Sequence, residues 1–286
     1  MQRISSILLA LDRREGAAEA LAKAGGLAQR FGAALEVVLC DAEHAYALQH
    51  QYDRQGTEQV QARLCAEARE FLERLCQARP LPQVSLHIDA LCETPLYAAI
   101  IRRVRHSRPD LLIRALGRER LEATLSASDW DLVRASPVPL MLMRPTQWQP
   151  SPRIAAAVDV SGEEATDLTC DIMRMAGSFA ASTAGTLEVM YAAEAGEDAE
   201  LRKQLLARRV RESGVDAHAL HVIADDAAAS MTQFAANRRY DLLALGALSH
   251  RRDGTALVGT LTGRLLDALR CDVLLVKPAG YRTAVR

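Results

Sequence analysis

The stretch Leu245 to Leu261, LGALSHRRDGTALVGTL, gathers residue types that hold an anion. Gly246 lets backbone approach a ligand closely, Ser249 and Thr260 carry hydroxyls, and His250, Arg251 and Arg252 bring positive charge. Gly259 and Thr260 open a helical pattern, and a helix start presents unpaired N–H groups at the positive end of its dipole. The spacing matches neither a Walker A loop nor the dinucleotide turn G-x-G-x-x-G, and the chain has no G-x-S-x-G elbow for a nucleophilic serine. Binding, not bond-making, is the chemistry these residues suggest, and on spacing alone the stretch reads equally as a plain strand-to-helix connection with Gly259 helping an N-cap. Two acids end apolar runs, Asp12 after Ile7-Leu-Leu-Ala-Leu and Asp159 after Ile154-Ala-Ala-Ala-Val. Asp159 is the one evident candidate for a general base beside the loop.

The other chemistry-bearing residues read as structural. His44, Tyr46, His50, Tyr52 and Asp53 cluster, but their spacing fits no metal-ligand pattern, so a solvated loop is expected and no metal site. His87 and His221 hold matching places in two strand-like runs, which predicts a shared packing or hydrogen-bonding role. Six cysteines lie far apart without a C-x-x-C pair, as expected of free thiols in a reducing compartment. The net charge of -1 gives no general attraction to nucleic acid or an anionic membrane. No apolar run is long enough for a membrane-spanning helix or a signal-peptide core, and a cytoplasmic location is expected.

The elements that must position these residues come in two sets. Ile7–Asp12 returns as Ile154–Asp159, Leu35–Leu39 as Leu187–Met190, Val84–Ile88 as Ala219–Ile223, Pro109–Ile113 as Tyr240–Ala244, and Leu140–Pro145 as Leu274–Pro278. The runs are continuously apolar, as in parallel strands buried on both faces. Between them, Val60, Leu64, Ala68, Phe71 and Leu75 mark one helix face, and Leu168, Ile172, Met175 and Phe179 another. Thr94-Pro95 predicts an N-cap with proline at the first helical position, Gly25-Gly26 weakens the first helix, and Leu261, Leu265 and Leu269 mark the last. The spacing predicts an α/β protein of two tandem, open, parallel five-stranded sheets flanked by helices. The units run from 1 to 147 and from 153 to 286, joined by the proline-bearing Trp148–Arg153. A linker of about six residues leaves little reach, which predicts that the halves pack as an intramolecular pseudo-dimer. Ligands of such sheets sit beyond the carboxyl ends of the strands, where Asp12, Asp159 and Gly246 fall.

Gly246-x2-Ser249-x9-Gly259-Thr260 resembles the nucleotide loop G-x2-G-x9-G-[ST] of the tandem-domain universal stress protein family. Leu269–Pro278 is similar to that family's last strand, and Arg120–Thr124, Asp129-Trp130 and Ser136-Pro-Val-Pro139 resemble the signature of its E-type form. The resemblance covers essentially the whole chain. It implies a universal stress protein-like fold, akin to the adenine nucleotide alpha hydrolase folds, and a role in stress survival without a known catalytic reaction. It also implies ATP or a related nucleotide in the second half, held by Asp159, Gly246, Ser249, His250, Gly259 and Thr260, with Asp159 near the base or ribose. Asp12 matches the same family aspartate. Trp130, inside the signature, reads as packing within the core or between the halves.

Ser249 stands where the family has glycine, and a serine side chain resists positive φ and crowds a phosphate. The first half has no such loop: Leu116–Ser126 carries Glu119 and Glu122, which repel phosphate, so this half is not expected to bind ATP. Two further readings stay open beside the nucleotide-binding one: an interaction scaffold or apolar-metabolite carrier without nucleotide, and a weak ATPase. The oligomeric state beyond the pseudo-dimer is open as well.

Overall fold

The computed structural model describes residues 3–13, 16–40, 54–81, 83–117, 125–161, 166–193, 196–223, 227–250, 256–258, 260–278 and 280–281. Among them the first half runs β1 (Ser6–Asp12), α1 (Ala17–Phe31), β2 (Ala34–Cys40), α2 (Arg54–Ala78), β3 (Leu86–Leu91), α3 (Leu96–Ser107), β4 (Leu111–Ala115), α4 (Ala127–Ala135) and β5 (Leu140–Met143). The second half runs β6 (Arg153–Ala157), α5 (Thr166–Thr183), β7 (Thr186–Ala192), α6 (Ala199–Ser213), β8 (Ala219–Ile223), α7 (Ala227–Arg238), β9 (Leu242–Gly246), β10 (Leu248–His250), β11 (Ala256–Val258), α8 (Thr260–Ala268) and β12 (Asp272–Val276). The cluster from His44 to Asp53, Glu119, Glu122, Arg251, Arg252 and Gly259 lie outside the described residues.

The continuous apolar runs do become parallel strands. β1 pairs in parallel with β2 and β4, and β6 with β7 and β9. The two five-stranded parallel sheets expected from the sequence are present, and they join edge to edge. The strands form one ten-stranded sheet in the order β3-β2-β1-β4-β5-β12-β9-β6-β7-β8. Its two five-stranded parallel halves meet where β5 and β12 pair antiparallel, Leu142 opposite Val273 and Leu140 opposite Leu275. Every residue of β5 and β12 is buried, so each strand would leave an apolar open edge in an isolated half.

Helices cover both faces of this sheet. On one face α1, α2, α5 and α6 share a core, and Phe31 of the first half meets Phe179 of the second edge-on at 5.0 Å. On the other, α3, α4, α7 and α8 share a second core. α1 survives its glycine pair because Gly25 faces a loop: a Cβ there would come within 2.5 Å of Leu81. The helix ends at Gly32, whose φ of 64° suits a residue without Cβ and whose N–H returns to Ala28 and Gln29. The linker is docked: Trp148 Nε1 donates to Asp272, and the Gln149 and Arg153 N–H groups donate to Asp241.

Several boundaries move from their sequence-based positions. β4 and β9 start later than expected, after Asp110 and Asp241, whose carboxylates accept the first N–H groups of β1 and β6. β3 begins two residues later than Val84. Pro95 sits at the N-cap of α3 rather than at its first helical position, with no side-chain cap.

Candidate functional site

The strand order reverses between β1 and β4 in one half and between β6 and β9 in the other, which opens a crevice at their carboxyl ends. In the second half Asp159 lies just past the end of β6 and Gly246 closes β9, its neighbour in the sheet. Asp159 is exposed. One of its carboxylate oxygens accepts the Ser161 N–H at 2.7 Å, and its carbonyl accepts the Thr169 hydroxyl of α5 at 2.8 Å. The turn is therefore pinned while the carboxylate faces outward. The Gly246 carbonyl accepts the Thr262 hydroxyl at 2.9 Å, which ties the first turn of α8 to the end of β9. A Cβ on Gly246 would meet Leu168 at 3.4 Å, ordinary contact, so this glycine is not demanded by crowding within the protein.

Ser249 and His250 lie in β10, paired antiparallel with Leu257 and Ala256 of β11. Extended backbone suits any L-residue, so in this hairpin the serine meets no demand for positive φ. The structure thus brings Asp159, Gly246 and the start of α8 at Thr260 to one end of the sheet and sends Ser249 and His250 along the hairpin that connects them.

Sequence reasoning missed a second wall. Tyr191, at the end of β7, donates its hydroxyl to Glu197 at 2.7 Å. Arg202 of α6 pairs with the same carboxylate, lies 5.8 Å over the Tyr191 ring and donates to the Val160 carbonyl at 3.4 Å. Burial, then the Glu197 bond, push the Tyr191 phenol well above its ordinary range, so it stays a neutral donor. No motif announces this cluster. The aromatic residue late in β7 is its one sequence signal.

The first half is built differently at the same place. Arg114 Nη1 and Nη2 grip both oxygens of Asp12 at 2.8 and 2.7 Å, and Arg114 Nε donates to Asp129 at 3.0 Å. Asp129 also completes a capping box with Ser126 at the start of α4. Burial alone would lower the Arg114 pKa, but Asp12 and Asp129 drive it upward, so the cation is permanent. Both carboxylate oxygens of Asp12 are therefore engaged within the protein. The cavity left beside it, between Gly16 and Gly117, measures about 10 Å³, enough for about one water molecule.

The two histidines prove unrelated. His87 pairs with Glu36, the repeat counterpart of Glu188, whereas Glu188 pairs with Ala219. His221 instead corresponds to Asp89. It bonds Glu188 at 2.7 Å and lies 4.8 Å from the Phe234 ring, while His87 is exposed. Trp130 faces across the seam toward Gly263, where a Cβ would lie 3.9 Å from its ring. A larger open groove of about 560 Å³ lies at the opposite, amino ends of β9 and β12, lined in part by Gln149, Arg239 and Cys271. Among the described residues no three His, Cys, Asp or Glu side chains gather as a metal site, and no helix is long and apolar enough to cross a membrane.

A sequence model of the Universal stress protein family matches residues 4–144 and 154–277. The chain is 21% identical to universal stress protein E of Escherichia coli K12, in an alignment spanning 100% of this chain and 98% of the relative. Its fold is similar to that of a Pseudomonas aeruginosa UCBPP-PA14 protein described as a universal stress protein, with a TM-score of 0.72, 23% identity, and 96% and 94% of the two chains covered. A universal stress protein from Archaeoglobus fulgidus DSM 4304 superposes with a TM-score of 0.69 at 14% identity, covering 98% and 97%.

Proposed function

The chain belongs to the universal stress protein family, and from that premise we propose that it is a non-enzymatic, two-domain stress protein with one nucleotide site, in its second half. The observation that carries this reading is the contrast between two equivalent acids. Asp159 holds an exposed carboxylate at the crevice, bonded to the Ser161 N–H, whereas Asp12 is clamped by Arg114. The ribose or base of ATP would meet Asp159. Its phosphates would lie between Gly246 and the first N–H groups of α8, with Ser249, His250, Gly259 and Thr260 around them. The helix end contributes about 0.3–1 kcal/mol at an exposed site, so close backbone approach along the hairpin must supply most of the phosphate affinity. Asp159 alone does not make a hydrolytic site, and ATP turnover is not expected.

Calorimetry with Mg-ATP on the parent, Asp159→Ala and Ser249→Gly tests the proposal. The parent should bind one equivalent, and Asp159→Ala should weaken binding tenfold or more, about 1.4 kcal/mol. Ser249→Gly should tighten it by restoring the glycine that the family's loop carries at this position. If neither the parent nor Ser249→Gly gives heat, the loop is a relic and the scaffold reading replaces this one. Steady phosphate release from ATP would favour the ATPase reading.

A further inference from the structure

The repeat lets the two crevices be compared position by position. Ala10 of β1 pairs with Arg114 where Ala157 of β6 pairs with Leu245. Asp129 and Thr262 are both third in their helices, α4 and α8. The first half therefore carries Asp12, Arg114 and Asp129 where the second carries Asp159, Leu245 and Thr262. In the second half the middle position is a buried, neutral leucine, and Thr262 turns its hydroxyl back to the Gly246 carbonyl. Neither position holds a cation, and the bond described at the Asp159 carboxylate comes from the Ser161 N–H.

In the first half the three residues form a closed chain of charge. Arg114 and Asp129 are only 3% and 1% exposed, and the chain runs from both oxygens of Asp12 through the guanidinium to Asp129, then to the Ser126 hydroxyl at 2.6 Å. A planar guanidinium gripping both carboxylate oxygens is among the strongest side-chain pairings, and removing one member leaves the others charged and buried. A ribose hydroxyl offers one neutral donor and cannot displace it. Two carboxylates against one guanidinium also leave the group with a formal charge of about −1, which opposes any phosphate nearby.

We propose that Arg114 is the specificity-determining residue that closes the first half to nucleosides, by satisfying from within the carboxylate that a ligand sugar or base would otherwise meet. The proposal rests on the reading that crevices of this fold take a nucleoside, and its test separates the two. Exchanging Arg114→Leu together with Asp129→Thr installs the residues of the second half and leaves no buried orphan acid at position 129.

Equilibrium dialysis with labelled adenosine, which lacks phosphate, would compare four chains: the parent, Asp159→Ala, the Arg114→Leu/Asp129→Thr pair, and all three changes together. The exchanged pair should bind one equivalent more than the parent. At an adenosine concentration that leaves the weakened Asp159→Ala site empty, the triple variant should bind one equivalent. If the parent binds none and the exchanged pair gains one, the nucleotide reading of the second half fails while the role of Arg114 stands. A folded triple variant, with a cooperative unfolding transition, that binds no adenosine at millimolar concentration overturns the role of Arg114. Should the exchanged chains not fold, photolabelling of the parent with 8-azidoadenosine decides it. Adducts confined to second-half peptides support closure, and adducts on peptides containing Asp12 or Arg114 refute it.

Discussion

Arg144 and Lys277 hold the same place in the two repeats, and each reaches across the seam to the end of the other half's helix. Lys277 Nζ donates to the Arg134 and Ser136 carbonyls at the end of α4, at 2.8 and 2.7 Å. Arg144 Nη2 donates to the Leu266 carbonyl in the last turn of α8, at 3.3 Å. The contact is reciprocal, as in a two-fold dimer, yet made within one chain. Cations at helix carboxyl ends satisfy orphan carbonyls and oppose the dipole.

Replacing Lys277 by Met should cost about 1–2 kcal/mol, chiefly because it frees two carbonyls; burial lowers the Lys277 amine to about 7, so its charge adds to this only at and below neutral pH. Arg144→Met should act in the same direction. Urea midpoints measure both. Because the halves share one sheet, the parent should unfold in a single calorimetric transition, and a separate early transition in the double variant would mark the loosened seam.

Lys23 and Asp272 form the buried counterpart of these caps, 2.6 Å apart and 8% and 0% exposed. Asp272 also accepts the Arg144 N–H and the Trp148 indole N–H, which ties first half, linker and second half to one carboxylate. Lys23→Met leaves that carboxylate buried without its cation and should cost about 3–5 kcal/mol. Lys23→Met/Asp272→Asn should recover part of the loss. A cost below about 1 kcal/mol for the single change would show that the pair does not hold the halves together.

Glu188 supplies the pH dependence. Burial by itself would raise its carboxyl, but bonds from Tyr240, Arg153 and His221 outweigh burial and hold it down at about 2, against an ordinary value of 4.5. A depressed carboxylate stabilises the fold above its unfolded pKa and loses that contribution as pH falls toward its folded pKa. The window is therefore from about 4.5 down to about 2, and the loss across it is at most about 3 kcal/mol. In Glu188→Gln, stability measured over this range should be flatter than in the parent and lower than the parent at pH 7.

No disulfide joins any two of the six cysteines, so denaturing alkylation without reductant should add six groups. Under native conditions Cys40, Cys92 and Cys170 should be protected by burial. Cys271 should react slowly although part of it is exposed, because burial pushes its thiol up to about 12 and little thiolate forms near neutral pH. Mass spectrometry at timed intervals gives the order, and early modification of Cys271 would contradict it.

Local pattern was enough to reveal two copies of one unit, their alternating strands and helices, and the crevice acids Asp12 and Asp159. Burial on both faces writes a continuous apolar run into each strand, and helical spacing writes itself into Leu168, Ile172 and Phe179. Such patterns say that a residue is buried, not what it is buried against. Only the tertiary structure decided that the apolar edges of β5 and β12 meet antiparallel, which turns two sheets into one. Only register decided that His221 answers Asp89 rather than His87, because a sequence likeness between short strands leaves a two-residue slip open. The difference between the two crevices was least legible. Asp12 and Asp159 look alike in sequence, and what separates them is a guanidinium 102 residues along the chain, brought beside Asp12 by the parallel pairing of β1 with β4. Charge pairing across such a distance leaves no period in the sequence, since it depends on which strands become neighbours.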